Sequence, residues 1–162
     1  MEDITTITVT EDVALVTLRS SPADIRFISH VFLEIAKKGV NVDMISQTTP
    51  VGSITSLSFT VSDEQIGEIL EVCALLRRET PQIKTDIHSG NCKISFSGEV
   101  MRTKPGVAAH VFDALAEIGT DIRMITTSEV DISILIPQTE YPDVRERLEK
   151  LFAAKPQVTK TI

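Results

Sequence analysis

The sequence predicts an α+β fold made of two small units of one kind, each a split βαβ sandwich in which two helices cover one face of an antiparallel sheet. Three observations carry that reading. The first is a repeat. His30–Ser46 reads HVFLEIAKKGVNVDMIS, His110–Thr126 reads HVFDALAEIGTDIRMIT, and seven of the seventeen positions are identical at an offset of 80 residues. The identical residues fall where a helix would be buried, stopped and followed by a strand, so the chain holds two copies of one unit. The second is a change of hydrophobic period after a glycine in each copy, from steps of three and four to steps of two. The third is composition. At 162 residues, 42% hydrophobic, with one Tyr and no Trp, the chain suits two modest aliphatic cores.

In the first copy, Val13, Leu15 and Leu18 lie in a β-prone run ending at Arg19, Ser20 and Ser21. Ser21 offers an N-cap, Pro22 suits the first helical position, and Asp24 places negative charge in the first turn. Ile28, Val31, Phe32, Ile35 and Ala36 give the helix one apolar face, and Gly39 stops it. Val40, Val42 and Met44 then alternate with polar residues, as do Leu57, Phe59 and Val61, with Pro50 and Gly52 between them: two half-buried strands. Ser62 and Gln65 have capping-box spacing before Ile66, Ile69, Leu70 and Cys73, a second amphipathic helix closed near Pro81. Ile83–Ile87 makes the last strand.

The second copy repeats the order across a hinge at Ser89, Gly90 and Asn91. It has a strand at Cys92–Ser97 and a helix opened by Pro105 and stopped by Gly119. Strands follow at Asp121–Thr126 and Asp131–Ile136, then a helix with Pro142 in its first turn and Val144, Leu148 and Leu151 inward. Two terminal segments, Ile4–Val9 and Val158–Ile162, also read as β, and either could complete the second sheet.

Composition and motifs exclude several functions. A net charge of −7 with no basic stripe argues against nucleic acid or an anionic membrane as partner. No apolar run approaches the roughly 20 residues of a membrane span, and Glu2 and Asp3 follow Met1 in place of a basic leader, so a cytoplasmic protein is expected. Cys73 and Cys92 lack metal or disulfide spacing. His30 and His110 hold matching places but have no ligand at i+4, and read as solvated helix positions. No GxGxxG, phosphate loop or GxSxG is present, so no catalytic residue, metal or cofactor is assigned. The strand ISFSG carries a single aromatic residue, Phe96, too few for base stacking.

The informative loop is Lys104-Pro105-Gly106-Val107, directly before the second copy's first helix. Proline presets the turn and glycine lets a ligand approach the backbone, so free amides face whatever lies above the helix N-terminus, an arrangement suited to a carboxylate. The ammonium of an α-amino acid would need oxygen acceptors, and strand edges such as Asn41–Val42 or Asp121–Ile122 can supply them.

These residues resemble a known family, paired ACT domains, and specifically the regulatory region of aspartate kinase. Met101–Ile136, MRTKPGVAAHVFDALAEIGTDIRMITTSEVDISILI, carries the MR, PGVAA, MI and TSE elements in register, and the first copy matches more loosely through Val40–Gln47 and Leu57–Val61. Ile4–Leu18 resembles the segment joining the kinase lobe to its first ACT repeat. The resemblance implies two ferredoxin-like βαββαβ repeats of ACT type, at residues 10–89 and 90–162, the second completed by the N-terminal strand 3–9. It implies homodimers, with an effector amino acid, commonly lysine or threonine, bound where the helix-start loop of one repeat meets the strand after the first helix of the other. One such site would use Met101, Lys104, Pro105, Gly106 and Val107 with Asn41 and Val42, and Thr127 alongside; its companion would use Gln47, Asp121 and Ile122. The companion departs from the pattern, since Pro22, Ala23, Asp24, Ile25 and Arg26 stand where the family has Pro, Asp, Lys, Pro, Gly. Asp24 is displaced by one residue, about 100° around a helix, which leaves three expectations for that pocket: closed, altered in specificity, or served by Asp24 in place of the family's acidic residue.

Nothing in the chain resembles the nucleotide-binding lobe of the kinase. The expectation is a regulatory protein without kinase activity, tied to lysine, threonine or methionine metabolism and possessing an aspartate kinase catalytic subunit as candidate partner. The alternatives are a dimerisation module that binds no ligand, and an acyl phosphate hydrolase on the same sandwich, for which no Arg and Asn pair is found at a suitable loop.

Overall fold

The computed structural model describes residues 3–159. They form two compact units, Val13–Ser89, and the residues up to Asp12 together with those from Gly90 onward. Strands β1 (Thr6–Pro22) and β4 (Lys84–Ser97) each lend one half to each unit.

In the unit Val13–Ser89, β1 is followed by α1 (Ile25–Lys37), β2 (Ile45–Gln47), β3 (Ile54–Ser62), α2 (Ile66–Glu79) and β4, with strand order β2-β3-β1-β4. This is the βαββαβ arrangement. The pairs β1/β3 and β2/β3 are antiparallel, with Val16 opposite Phe59 and Leu18 opposite Leu57. Ala14, Val16, Leu18, Leu57, Phe59 and Val61 face Val31 and Ile35 of α1 and Ile69, Val72, Cys73 and Leu76 of α2 in one buried core. Phe32 packs edge-on against Phe59, ring centres 5.7 Å apart.

Several boundaries differ from the sequence reading, each for a local reason. A register shift between Leu18 and Ser21, with Ser20 at φ 54°, carries β1 on to Pro22, which pairs with Ile54. Ser21 is therefore buried in the strand, and Asp24 caps α1, its Oδ1 accepting from the Phe27 amide at 3.0 Å. Gly39 stops the helix as expected, at φ 71°. The Val40–Met44 segment is irregular, with β2 starting at Ile45, although Asp43 N donates to Thr60 O and Thr60 N to Met44 O. The capping box is half made. Ser62 Oγ accepts from Glu64 N at 3.4 Å, but the Gln65 amide donates to Gly39 O. Leu70, expected inside, is 53% exposed, and Val72 and Leu76 fill its place.

In the other unit, the first half of β1 precedes the second half of β4, then α3 (Val107–Ile118), β5 (Met124–Thr127), β6 (Asp131–Pro137), α4 (Tyr141–Leu151) and β7 (Pro156–Thr159). The strand order is β7-β1-β4-β6-β5, with β7 parallel to β1 and the β4/β6 and β5/β6 pairs antiparallel. Both candidate terminal segments thus pair. The N-terminal one lies between β4 and β7, and the C-terminal one takes the edge; residues 160–162 of the expected C-terminal strand lie outside the described residues. Ile4, Ile7 and Val9 join Ile94, Phe96, Ile132 and Ile134 under α3 and α4, and Phe96 packs against Phe152 with ring centres 5.4 Å apart and planes tilted by 41°. The expected hinge at Ser89–Asn91 lies within β4, where Gly90 takes φ 69°. Strand β5 begins at Met124, three residues later than predicted, and α3 begins at Val107, beyond Pro105.

Both cysteines are buried, and burial pushes the Cys92 thiol up to about 12, so it stays neutral core filling. Tyr141, 5% exposed, holds its hydroxyl buried without a hydrogen-bond partner among the described residues. A buried unsatisfied hydroxyl costs about 1–3 kcal/mol. Tyr141→Phe is therefore expected to raise stability by about 1 kcal/mol in urea unfolding; a lower midpoint would show that the hydroxyl is satisfied in solution.

Candidate functional site

The segment before α3 is built by backbone geometry. A 3-10 turn over Glu99–Arg102 closes with Met101 N donating to Gly98 O and Lys104 N to Val100 O. Gly106 then takes φ 91°, ψ −7° as the residue before the helix, a left-handed conformation open to glycine. Its carbonyl accepts the first helical bond from His110 N at 3.1 Å, and no side chain caps the helix. The positive end of the helix dipole lies behind the first-turn amides of α3, which have no side-chain cap.

They border a cleft of about 610 Å³. Six of the residues expected at the site line it together: Met101, Lys104, Pro105, Gly106, Val107 and Thr127. The cleft also has Arg102, Ser128, Glu129 and Ile132 in its wall. Of these, Arg102, Ser128 and Glu129 belong to the MR and TSE elements, the sequence signal that marks them. Arg102 Nη1 is 3.2 Å from Glu129 Oε2 and its Nε 3.4 Å from Glu99 Oε2, and Lys104 Nζ donates to both oxygens of Asp3 at 2.8 and 2.9 Å. Asp3 had no local signal, being 101 residues away in sequence.

The remaining expected residues lie elsewhere. Asp121 and Ile122 follow the other end of α3, and a helix of 12 residues is about 18 Å long, so they cannot share a small ligand with Lys104 of the same unit. Glu140 already engages that loop, accepting from Thr120 Oγ1 at 2.6 Å and Asp121 N at 3.1 Å, bonds that hold its carboxyl below the usual range. Asn41, Val42, Gln47 and Asp24 belong to the unit Val13–Ser89; Asn41 and Gln47 are exposed and Val42 packs on that unit's core.

The equivalent place in that unit is a cleft of about 490 Å³ lined by Pro22, Ala23, Asp24, Gly52, Ser53 and Gln82 among others. Here the chain supplies its own carboxylate, because Asp24 occupies the α1 N-terminus that the α3 N-terminus leaves open. A larger groove of about 790 Å³ runs between α1 and α2, and Lys38 and Glu71 pair within it. His30 bonds Glu79 at 2.7 Å, tying α1 to α2, and His110 is exposed.

The ACT domain model matches residues 94–152, the part of the chain that carries the uncapped helix and its cleft. An aspartokinase of Geobacillus stearothermophilus is 33% identical over 144 residues, which cover 88% of this chain and 34% of that protein. The regulatory subunit of aspartate kinase from Thermus thermophilus, in its ligand-free form, superposes with a TM-score of 0.83 at 30% identity, covering 93% of this chain and 99% of that one. Aspartate kinase from Synechocystis gives 0.89 at 27% identity, covering 99% of this chain and 29% of that one. The chain therefore belongs to the ACT-domain family, among the regulatory regions of aspartate kinase. It spans about a third of the length of the curated relatives it matches.

Proposed function

We propose that the chain is an amino acid sensor that regulates an aspartate kinase and has no kinase activity of its own. The observation that carries this reading is the uncapped start of α3, with Gly106 at φ 91° beside a cleft of about 610 Å³. The α-carboxylate of the effector takes the first-turn amides of α3 and the charge of Lys104. Thr127, Met101 and Val107, which line the same cleft, meet its side chain. Lysine, threonine and methionine are the candidate effectors, and a homodimer is part of the same reading. Regulation follows from differential affinity: an effector shifts its partner only as far as it binds one state better, typically about 1–3 kcal/mol. With Asp24 on the first helix, the companion cleft is proposed to remain empty, giving one effector per chain.

The test is a thermal-shift panel of the twenty amino acids beside a mass measurement of the oligomer. At about 100 times its dissociation constant, the effector should add roughly 2.7 kcal/mol to the native state. No shift with any of the twenty would overturn the sensor reading. A dimer with no shift would favour a dimerisation module, a second reading to which Ile45 and Ile125 point. They are 50% and 45% exposed on β2 and β5, the edge strands of their respective units.

A further inference from the structure

Lys104 belongs to the cleft, yet its ammonium is already engaged by a carboxylate of the same chain, Asp3. The Asp3 side chain is 18% exposed and that of Lys104 51%, so the carboxylate is the held partner and the ammonium is the one a ligand can reach. Two further contacts fasten residues 3–5 to the segment leading into α3. Thr5 donates through both its amide and its hydroxyl to Ser97 O, at 2.9 and 3.2 Å. Gly98 lies so close to the Asp3 carbonyl that a Cβ there would stand 2.2 Å from its oxygen. That obstruction is backbone, which no rotamer change relieves, so position 98 is fitted to the N-terminal segment. Arg102, the other cation of the cleft, is matched by Glu99 and Glu129.

We infer that Asp3 is an internal competitor for the ligand's carboxylate at Lys104, and that ligand entry loosens residues 3–5 from the loop before α3. The inference rests on the cleft being an amino acid site. The Lys104 end of the pair is half exposed, so solvent and an incoming anion compete for it. An incoming carboxylate that also gains the first-turn amides can displace Asp3. The coupling is reciprocal, so whatever weakens the hold of Asp3 strengthens ligand binding by the same factor.

The experiment uses the full chain with L-lysine and L-threonine as probes. Calorimetric titration compares the native protein with Asp3→Asn, a variant that keeps the side chain's shape, and amide exchange is followed at Thr5. Asp3→Asn is expected to tighten binding of the active probe roughly two- to fivefold. Exchange at Thr5 should quicken when the probe is added to the native protein and be quick from the outset in the variant. Equal or weaker binding by Asp3→Asn overturns the competition while leaving the amino acid site standing, as does slower Thr5 exchange on adding the probe. Failure of L-lysine, L-threonine and the remaining amino acids of the thermal-shift panel to bind either protein overturns the competition together with the site reading on which it rests.

Discussion

Removing residues 1–9 should abolish cooperative unfolding of the unit that runs to Asp12 and resumes at Gly90. Ile4, Ile7 and Val9 are 1%, 0% and 0% exposed within its core. Truncating one large buried aliphatic side chain costs about 2–5 kcal/mol, so losing three removes an amount comparable to the whole stability of a domain, about 5–15 kcal/mol. The deletion also strips β4 of most of a neighbour and leaves β7 only its Thr10–Thr159 pairing, exposing rows of backbone donors and acceptors. Amide exchange at Ile94, Phe96, Ile132 and Ile134 is the measurement, and protection there should disappear. An unchanged melting profile with protection intact would mean that β7 can move in beside β4 and replace the missing strand.

Gly106→Val should abolish amino acid binding and leave the chain folded. Space is not the obstacle, since nothing lies within 4 Å of the position a Cβ would occupy. Conformation is. At φ 91° a β-branched residue is strained by about 1–2 kcal/mol or more, and the chain relieves this by swinging the Pro105–Val107 backbone toward negative φ. That motion re-aims the first-turn amides of α3, and binding groups must be held within about 0.5 Å to act together. Because Gly106 is exposed and outside the core, the cost to folding stays small against a domain's stability. Titration with L-lysine and L-threonine beside a circular dichroism melt separates the two effects. Native affinity in a folded variant would remove this loop from the site.

What the sequence disclosed depended on how local each cause was. The repeat with Pro105 and Gly119 placed α3, and periodicity placed the other three helices, because the buried stripes of Val31 and Ile35, Ile69 and Cys73, and Val144 and Leu148 are local patterns. It misplaced the start of α1 because Ser21 has the chemistry of a cap but lies in a strand prolonged by a bulge at Arg19 and Ser20, a cross-strand effect invisible to local spacing. It missed the continuity of β1 and β4 because Asp12 and Gly90 take positive φ without ending their strands. Lys104–Val107 stands out in the sequence as a Pro-Gly turn before a helix, whereas Met101 and Thr127 are supplied only by the resemblance to the ACT family; all six line one cleft. The Asp3–Lys104 pair was not legible, since nothing at residue 3 announces a partner 101 positions away.

The parallel pairing of β7 with β1 bears on how the molecule is made. Ile7 meets Pro156 and Val9 meets Val158, joining strands on opposite sides of a whole intervening unit. At equilibrium the penalty is mild, since each doubling of a loop costs only about 0.6 kcal/mol. In time it is severe, because distant pairings form slowly and domains emerge from synthesis in order. Val13–Ser89 is contiguous and can fold while the ribosome is still working, but the unit bearing the uncapped helix cannot close until its last strand has been translated. Through that interval Ile4, Ile7 and Val9 stay in water, and the strand that will occupy the middle of a sheet is the segment of this chain most in need of protection during synthesis.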